Sequence, residues 1–297
     1  MGTPVTLSGR VAIVTGAGKG IGRASALALG AAGAAVVVNN RRHPGQADAE
    51  TSAWQVAEAI RAAGGQAVPN CETVDAEGAG QRMVDQALQA FGRLDIVLAN
   101  AAAPQAMTFH KQSVAEFIAI FNVGFLGTLN LVHAAWPHLR AQKYGRVIFT
   151  TSSAGRYGNH GLGAYSASKG AIEMLMRSLA AEGISSNIRV NAISPYAATQ
   201  MTESWLKPEV ARAITPEAVT PMTVWLASEG CTANGEVVVA AGGRYRRGFS
   251  VETDSVAGAD MAEVFEALQQ QPARPHPTSN HAFATLCDEM RKGGQIT

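Results

Sequence analysis

Val11-Ala12-Ile13-Val14-Thr15-Gly16-Ala17-Gly18-Lys19-Gly20-Ile21-Gly22 carries the strongest structural signal in the chain. Four apolar residues in succession suit a strand buried on both faces, and the glycines behind them suit a tight turn. The alanine-rich run that follows, to about Gly33, reads as a helix. A strand, a glycine turn and a helix in that order aim backbone N–H groups and the positive helix end at one point, where a pyrophosphate can dock. Gly16, Gly18, Gly20 and Gly22 allow close backbone approach, while Lys19 and Ile21 supply the side chains of the turn. The pattern is TGxxxGIG; Ile21 breaks the GxGxxG form. A second apolar run, Ala35–Asn39, lies one helix downstream and completes a βαβ unit.

The alternation continues outward. Strands are expected near 66–71, 94–99, 146–151, 188–193 and 236–240. Helices are expected near 50–64, 78–91, 113–139 (ending close to Pro137), 165–183 and 216–228. Strands separated by helices predict an α/β fold, a doubly wound, Rossmann-type parallel sheet of seven strands. After Gly243 the pattern changes to one helix over 259–270, a joint with Pro272, Pro275 and Pro277, and a second helix ending at Met290. Residues 1–243 therefore read as one domain. Residues 244–297 read as a C-terminal extension, packed on that domain or on a neighbouring subunit, because neither helix could bury a core alone.

Bulk properties narrow the function. With 297 residues and 47% hydrophobic content the chain can build a sizeable core. Its 24 basic and 23 acidic residues leave a net charge of +1 with no charged block, which argues against nucleic acid or a membrane surface as partner. No uninterrupted apolar run reaches the roughly 18 residues of a membrane-spanning helix. Cys71, Cys231 and Cys287 form no CxxC, which fits reduced thiols and a cytoplasmic location. The first residues match a loose myristoylation pattern, but a core strand follows at once and chance explains the match. The seven histidines show no paired ligand spacing, so no metal is expected. His160, in the loop before Tyr165, reads as a surface or structural residue rather than a substrate contact.

Chemistry concentrates between Ser152 and Lys169. Tyr165 and Lys169 stand four apart in a helical segment and share a face. A free phenol, with a pKa near ~10, is a poor acid or base at neutral pH, and an ammonium beside it favours the phenolate. A serine from the end of the preceding strand can hold the oxygen of an alcohol or ketone against that phenol. A lone Tyr-x-x-x-Lys would be an ordinary surface helix; the surrounding motifs decide.

Those motifs resemble the short-chain dehydrogenase/reductase family over about residues 7–243. They are the Thr15–Gly22 turn, Asn100-Ala101-Ala102 in the place of that family's NNAG, Asn122 in Asn122-Val123-Gly124, Ser152 thirteen residues before Tyr165, Lys169, and Pro195 after the sixth strand. Ala99 and Tyr196 depart from the pattern. Within the family, Tyr157-Gly158-Asn159, Gln200-Met201-Thr202 and the run from Lys207 through Leu226 are similar to the (3R)-hydroxyacyl-CoA dehydrogenase region of peroxisomal multifunctional β-oxidation proteins, which also act on hydroxysteroids. This chain ends in Gln295-Ile296-Thr297, without a peroxisomal tripeptide or a hydratase domain, and is expected to be a stand-alone relative.

The resemblance implies a hydride exchange between a carbinol carbon and a nicotinamide. Tyr165 would act as acid or base, Lys169 would lower its pKa and bind the ribose, Ser152 would orient the substrate oxygen, and Asn122 would hold a water that links Lys169 to solvent. Ser153 is the competing serine, and the thirteen-residue spacing favours Ser152. Glu72, Thr73, Asn100, Ala101, Pro195 and Thr199 would complete the cofactor site. The loop after Pro195 usually covers the substrate, and Tyr196, Met201 and Trp205 there suggest a bulky apolar one. Relatives pair through the helices at 113–140 and 163–182, whose many small residues allow close approach, so a homodimer or homotetramer is expected. A dinucleotide-binding sensor that lost the reaction is the alternative of a different class, and the intact tetrad weighs against it.

Cofactor choice is read from the second strand. It ends Val38-Asn39-Asn40, with no carboxylate to bind a ribose 2′-OH and repel a 2′-phosphate. Arg41 and Arg42 follow and can grip a phosphate with charge-assisted bonds, and Lys19 adds a cation. Such a bond favours binding by roughly ten- to a hundredfold. NADP(H) is therefore the expected preference, with NAD(H) possible. The competing reading leaves both arginines merely solvated.

Overall fold

The structure, a computed structural model, describes residues 5–200, 202 and 206–295. It divides into two compact units, Met1–Arg247 and Gly248–Thr297.

The first unit is an eight-stranded sheet in the order β3-β2-β1-β4-β5-β6-β7-β8. Seven strands run parallel: β1 (Val11–Val14), β2 (Ala35–Asn39), β3 (Ala67–Asn70), β4 (Ile96–Ala99), β5 (Gly145–Thr150), β6 (Ile188–Pro195) and β7 (Val237–Ala241). Successive residues serve opposite faces. Ala12, Val14, Val36 and Val38 pack with Leu29, Val56, Ile60 and Leu226, while Val11, Ile13 and Val37 pack with Met83, Leu131 and Met176. Both faces are covered, which is why these strands read as unbroken apolar runs. Helices α1 (Gly20–Ala31), α2 (Ser52–Ala62) and α9 (Thr220–Ala227) cover the first face. Helices α3 (Ala79–Phe91), α5 (Gly127–Ala141) and α7 (Gly163–Gly183) cover the second. The strand order reverses beside β1, which pairs with both β2 and β4. A crevice at the carboxyl ends of the strands follows from that reversal.

The expected seven strands become eight. β8 (Arg244–Gly248) joins β7 through Gly242 and Gly243, whose φ angles are +52° and +75°. Two consecutive positive-φ residues make the two-residue turn that matches strand twist, so β8 runs antiparallel. Sequence reading missed it because Arg244-Tyr245-Arg246-Arg247 is almost wholly exposed and carries no apolar alternation.

The expected long helix over 113–139 is also different. Ser113 caps α4 (Val114–Phe121) in a capping box with Glu116. Five residues, Asn122–Leu126, then form a π turn, and α5 continues through Pro137 to Ala141. The 28 residues Val114–Ala141, with a mean hydropathy of 1.6 in the most apolar window, are long and apolar enough to cross a membrane by length and composition. One third of that window is buried, because α5 also supplies Leu131, Val132 and Leu139 to the core. The remaining helices of this unit are α6 (Ser153–Tyr157) and α8 (Pro208–Ala213), and the expected helix at 216–228 opens with a 3-10 turn, Pro216–Val219.

The second unit holds α10 (Met261–Leu268), α11 (Ser279–Lys292) and a two-stranded antiparallel sheet, β9 (Val251–Thr253) with β10 (Ala273–Pro275). The proline joint thus contains a strand. Pro275 is its last residue, and in a two-stranded sheet each strand is an edge, where a missing N–H is tolerated. Among its described residues from 249 onward none is fully buried.

Candidate active site

The glycine turn is held from β4. Thr15 Oγ1 accepts the backbone N–H groups of Asn100 at 3.0 Å and Ala101 at 3.1 Å. The Asn100 amide donates to the carbonyls of Thr15 at 3.1 Å and Gly16 at 3.3 Å. No side chain larger than hydrogen fits this packing. A Cβ on Gly22 would lie 2.2 Å from the Gly16 oxygen, and one on Gly18 would lie 2.2 Å from Ser52 Oγ. Gly16 and Gly20 also need positive φ, +63° and +55°. Lys19, the exposed N-cap of α1, makes no side-chain capping bond, so no side chain of the cap takes up the first-turn N–H groups. That cradle, with uncapped donors and no carboxylate in the first turn, fits a dinucleotide pyrophosphate. Ile21 is half-buried against the core. Across the turn, the Thr199 methyl is 3.4 Å from a Cβ built on Gly20, and Thr202 Oγ1 fixes that loop through the Thr199 N–H and the Ala197 carbonyl.

At the ends of β2 and β3 lies a cavity of about 520 Å³, lined by Arg42, Asp48, Trp54, Cys71, Glu72 and Thr73 among others. Asn39 is buried and donates to Asn70 Oδ1 at 2.7 Å and the Glu72 carbonyl at 3.0 Å. The Asn40 amide donates to Ser52 Oγ at 2.8 Å. Glu72 receives the Arg82 guanidinium through two bonds, of 2.7 and 2.8 Å, which hold its carboxyl below the usual range. Arg42 is ion-paired with Asp48. Arg41 is exposed and makes no ion pair among the described residues.

The catalytic segment follows β5. Ser152 caps α6, its hydroxyl accepting the Ala154 N–H at 3.2 Å. Tyr165 lies in the first turn of α7, and Lys169 one turn later. Burial pushes the phenol of Tyr165 up, and a hydrogen bond with the Ser152 hydroxyl pulls it partly back. Ser153 is the first residue of α6. Lys169 is 1% exposed, and burial lowers its pKa to about 8. Its Nζ donates to the Thr150 carbonyl at 2.6 Å and stands 5.8 Å from the Tyr165 ring centroid. The ammonium is thus bonded to the strand, on the Thr150 carbonyl, while its charge stays near the Tyr165 ring.

Asn122 opens the π turn, its carbonyl receiving the Gly127 N–H. A π turn inside a helix redirects carbonyls that an α-helix would bond internally. Here it packs on α7: a Cβ on Gly124 would lie 2.7 Å from Ser168 Oγ, next to Lys169. Pro195 is the last residue of β6, and Tyr196, 46% exposed, is tied to Ala240 through its N–H. Met201 and Trp205 lie outside the described residues. Sequence reading took Thr15 only as the first residue of the glycine turn and missed Thr150 and Asp48. Thr150 and Thr15 act through a backbone carbonyl and a local hydroxyl, which leave no distinctive spacing. Asp48 meets Arg42 only through the return of a loop, which leaves no local motif.

Known proteins resemble this chain in sequence and fold. The family model for short chain dehydrogenases matches residues 10–209. A short-chain type dehydrogenase/reductase of Mycobacterium tuberculosis is 41% identical over 240 residues, 80% of this chain and 84% of that protein. Mouse peroxisomal multifunctional enzyme type 2 is 40% identical over 79% of this chain, which spans only 32% of that longer protein. Among solved structures, a 7α-hydroxysteroid dehydrogenase complexed with NADH and 7-oxo glycochenodeoxycholic acid matches with a TM-score of 0.73 and 28% identity. That match covers 82% of this chain and 98% of the other. The chain belongs to the short-chain dehydrogenase/reductase family. It is an oxidoreductase of that family, whose members use a nicotinamide dinucleotide.

Proposed function

We propose that this protein is an NADP(H)-preferring dehydrogenase/reductase that interconverts a secondary alcohol and a ketone on a bulky apolar substrate, with a 3-hydroxyacyl-CoA as the leading class. The observation that carries it is the Ser152–Tyr165–Lys169 cluster at the carboxyl edge of the sheet, with Lys169 buried beneath two half-buried hydroxyls, near the glycine cradle. A bound nicotinamide supplies or accepts the hydride. Ser152 and Tyr165 present two hydroxyls to one substrate oxygen, and Tyr165 gives or takes its proton. Lys169, with a pKa brought to about 8, can be held charged or neutral near physiological pH and can restore the proton on Tyr165. Asn122, at the π turn against Ser168, supports that relay from the neighbouring helix. The acyl-CoA class rests on the likeness to the multifunctional enzymes. A hydroxysteroid is the second reading, supported by the steroid dehydrogenase whose fold the chain shares.

The three free cysteines support a reducing, cytoplasmic setting. The partly exposed apolar residues Val114, Ile118 and Leu126 of the 114–141 helix, with Met174 of α7, support pairing of two or four copies through these helices. Replacing Tyr165 by Phe keeps the ring and removes the proton carrier. Tyr165→Phe is expected to bind NADPH as wild type does and to turn over at less than about a hundredth of the wild-type rate. Retention of a tenth of wild-type kcat would remove Tyr165 from the acid/base role.

A further inference from the structure

We infer that Asp48 is a specificity-determining residue for the nucleotide: its carboxylate competes with a 2′-phosphate for Arg42 and restrains the preference for NADP(H). The inference rests on the cofactor reading above and deepens it. The segment after β2 leaves the sheet at Asn40, carries Arg42, and returns at Asp48. Asp48 opens a 3-10 turn, Asp48–Glu50, that leads into α2. The turn is fixed from both sides, since the Ala47 N–H donates to Glu50 Oε2 at 2.8 Å and Thr51 Oγ1 donates to the Asp48 carbonyl at 2.7 Å. Arg42 and Asp48 thereby line the same cavity, facing each other as an ion pair.

The exposure of the pair decides what it can do. Arg42 is 44% and Asp48 71% exposed at the side chain, so the pair is solvated and its partners exchange readily. A dianionic phosphate can displace a carboxylate from such a guanidinium, yet must work against it twice. It loses the share of Arg42 that Asp48 holds, and it is repelled by the carboxylate nearby. A ribose hydroxyl meets neither penalty, and a carboxylate can accept its hydrogen bond. Asn40 offers no such charge at the strand end, its amide being turned to Ser52. Asp48 thus restores from the loop part of the discrimination that a carboxylate on β2 would supply.

Asp48→Asn keeps the shape and removes the charge. Intrinsic nucleotide fluorescence, titrated without any carbonyl substrate, reads the dissociation constants of NADPH and NADH for wild type, Asp48→Asn and Arg42→Ala/Asp48→Asn. Asp48→Asn should bind NADPH about three- to tenfold more tightly, with NADH unchanged or weaker. The gain should shrink in 0.5 M salt, where exposed charges are screened. The double variant should lose it. An unchanged or reduced NADPH-to-NADH affinity ratio in Asp48→Asn, or a gain that persists without Arg42, overturns the inference. The wild-type ratio tests the parent reading separately. Tighter NADH in wild type overturns the NADP(H) preference while an NADPH gain in Asp48→Asn still upholds the role of Asp48. Binding of neither nucleotide overturns both.

Discussion

Lys169 is buried and bonded to the strand, neither of which its spacing from Tyr165 announces. Tyr165 and Lys169 were legible as a pair because a four-residue interval puts both on one helix face. The direction of the ammonium was not legible, since it is set by the Thr150 carbonyl on β5, which sequence cannot aim. Full burial then lowers Lys169 to about 8 from 10.5. The unfolded chain holds its proton up to the higher value, so between these two pKa values it binds more protons than the fold and stability rises with pH. Below about pH 8 both states are protonated, and the cost of burying the charge, on the order of 3 kcal/mol, is fully present. Lys169→Met should therefore be more stable than wild type at pH 7, with the difference shrinking toward pH 10. Denaturant melts of both proteins at the two pH values measure it; a difference that stays constant over that range would show that Lys169 titrates normally.

At the scale of elements, β1, β2 and α7 were readable because each has one dominant signal: an unbroken apolar run, a glycine turn or a small-residue helix. β8 and the π turn were not. The first is an exposed polar strand recruited by a two-glycine turn, and the second depends on hydrogen bonds shifting by one residue along an otherwise regular helix. The site residues divide the same way. Gly16, Gly22 and Asn100 follow from local motifs, while the Arg42–Asp48 pair depends on how a loop returns. Helix contacts carry their own test. Gly80 of α3 lies against α5, where a Cβ would stand 2.5 Å from the Asn130 carbonyl. Backbone cannot yield as a side-chain tip can, so Gly80→Ala should destabilise the protein by about 1–3 kcal/mol despite the better helix propensity of alanine. A denaturation midpoint equal to or above that of wild type would show that α3 and α5 part without cost.

For the whole molecule, the 114–141 helix poses the largest question. It contributes Leu131 and Leu139 to the core, yet exposes Val114, Ile118 and Leu126, and Met174 of α7 is half exposed too. Apolar helix faces left open to water favour association, and a second copy is the proposed cover for these. Light scattering at micromolar concentration should give the mass of two or four chains of 30.9 kDa; a monomer mass would leave that surface without its proposed partner. The proposed activity stands or falls with hydride transfer between a bound NADPH and a ketone held by Ser152 and Tyr165. Isotope labelling follows the transferred atom itself. NADPH deuterated at C4 on each face in turn is incubated with the protein and a 3-ketoacyl-CoA, and the product is weighed by mass spectrometry. A 3-hydroxyacyl-CoA one mass unit heavier is expected from one of the two labelled cofactors, and no such product from Tyr165→Phe. Alcohol formed without label from either cofactor, or an equal yield from Tyr165→Phe, would contradict the proposed hydride transfer.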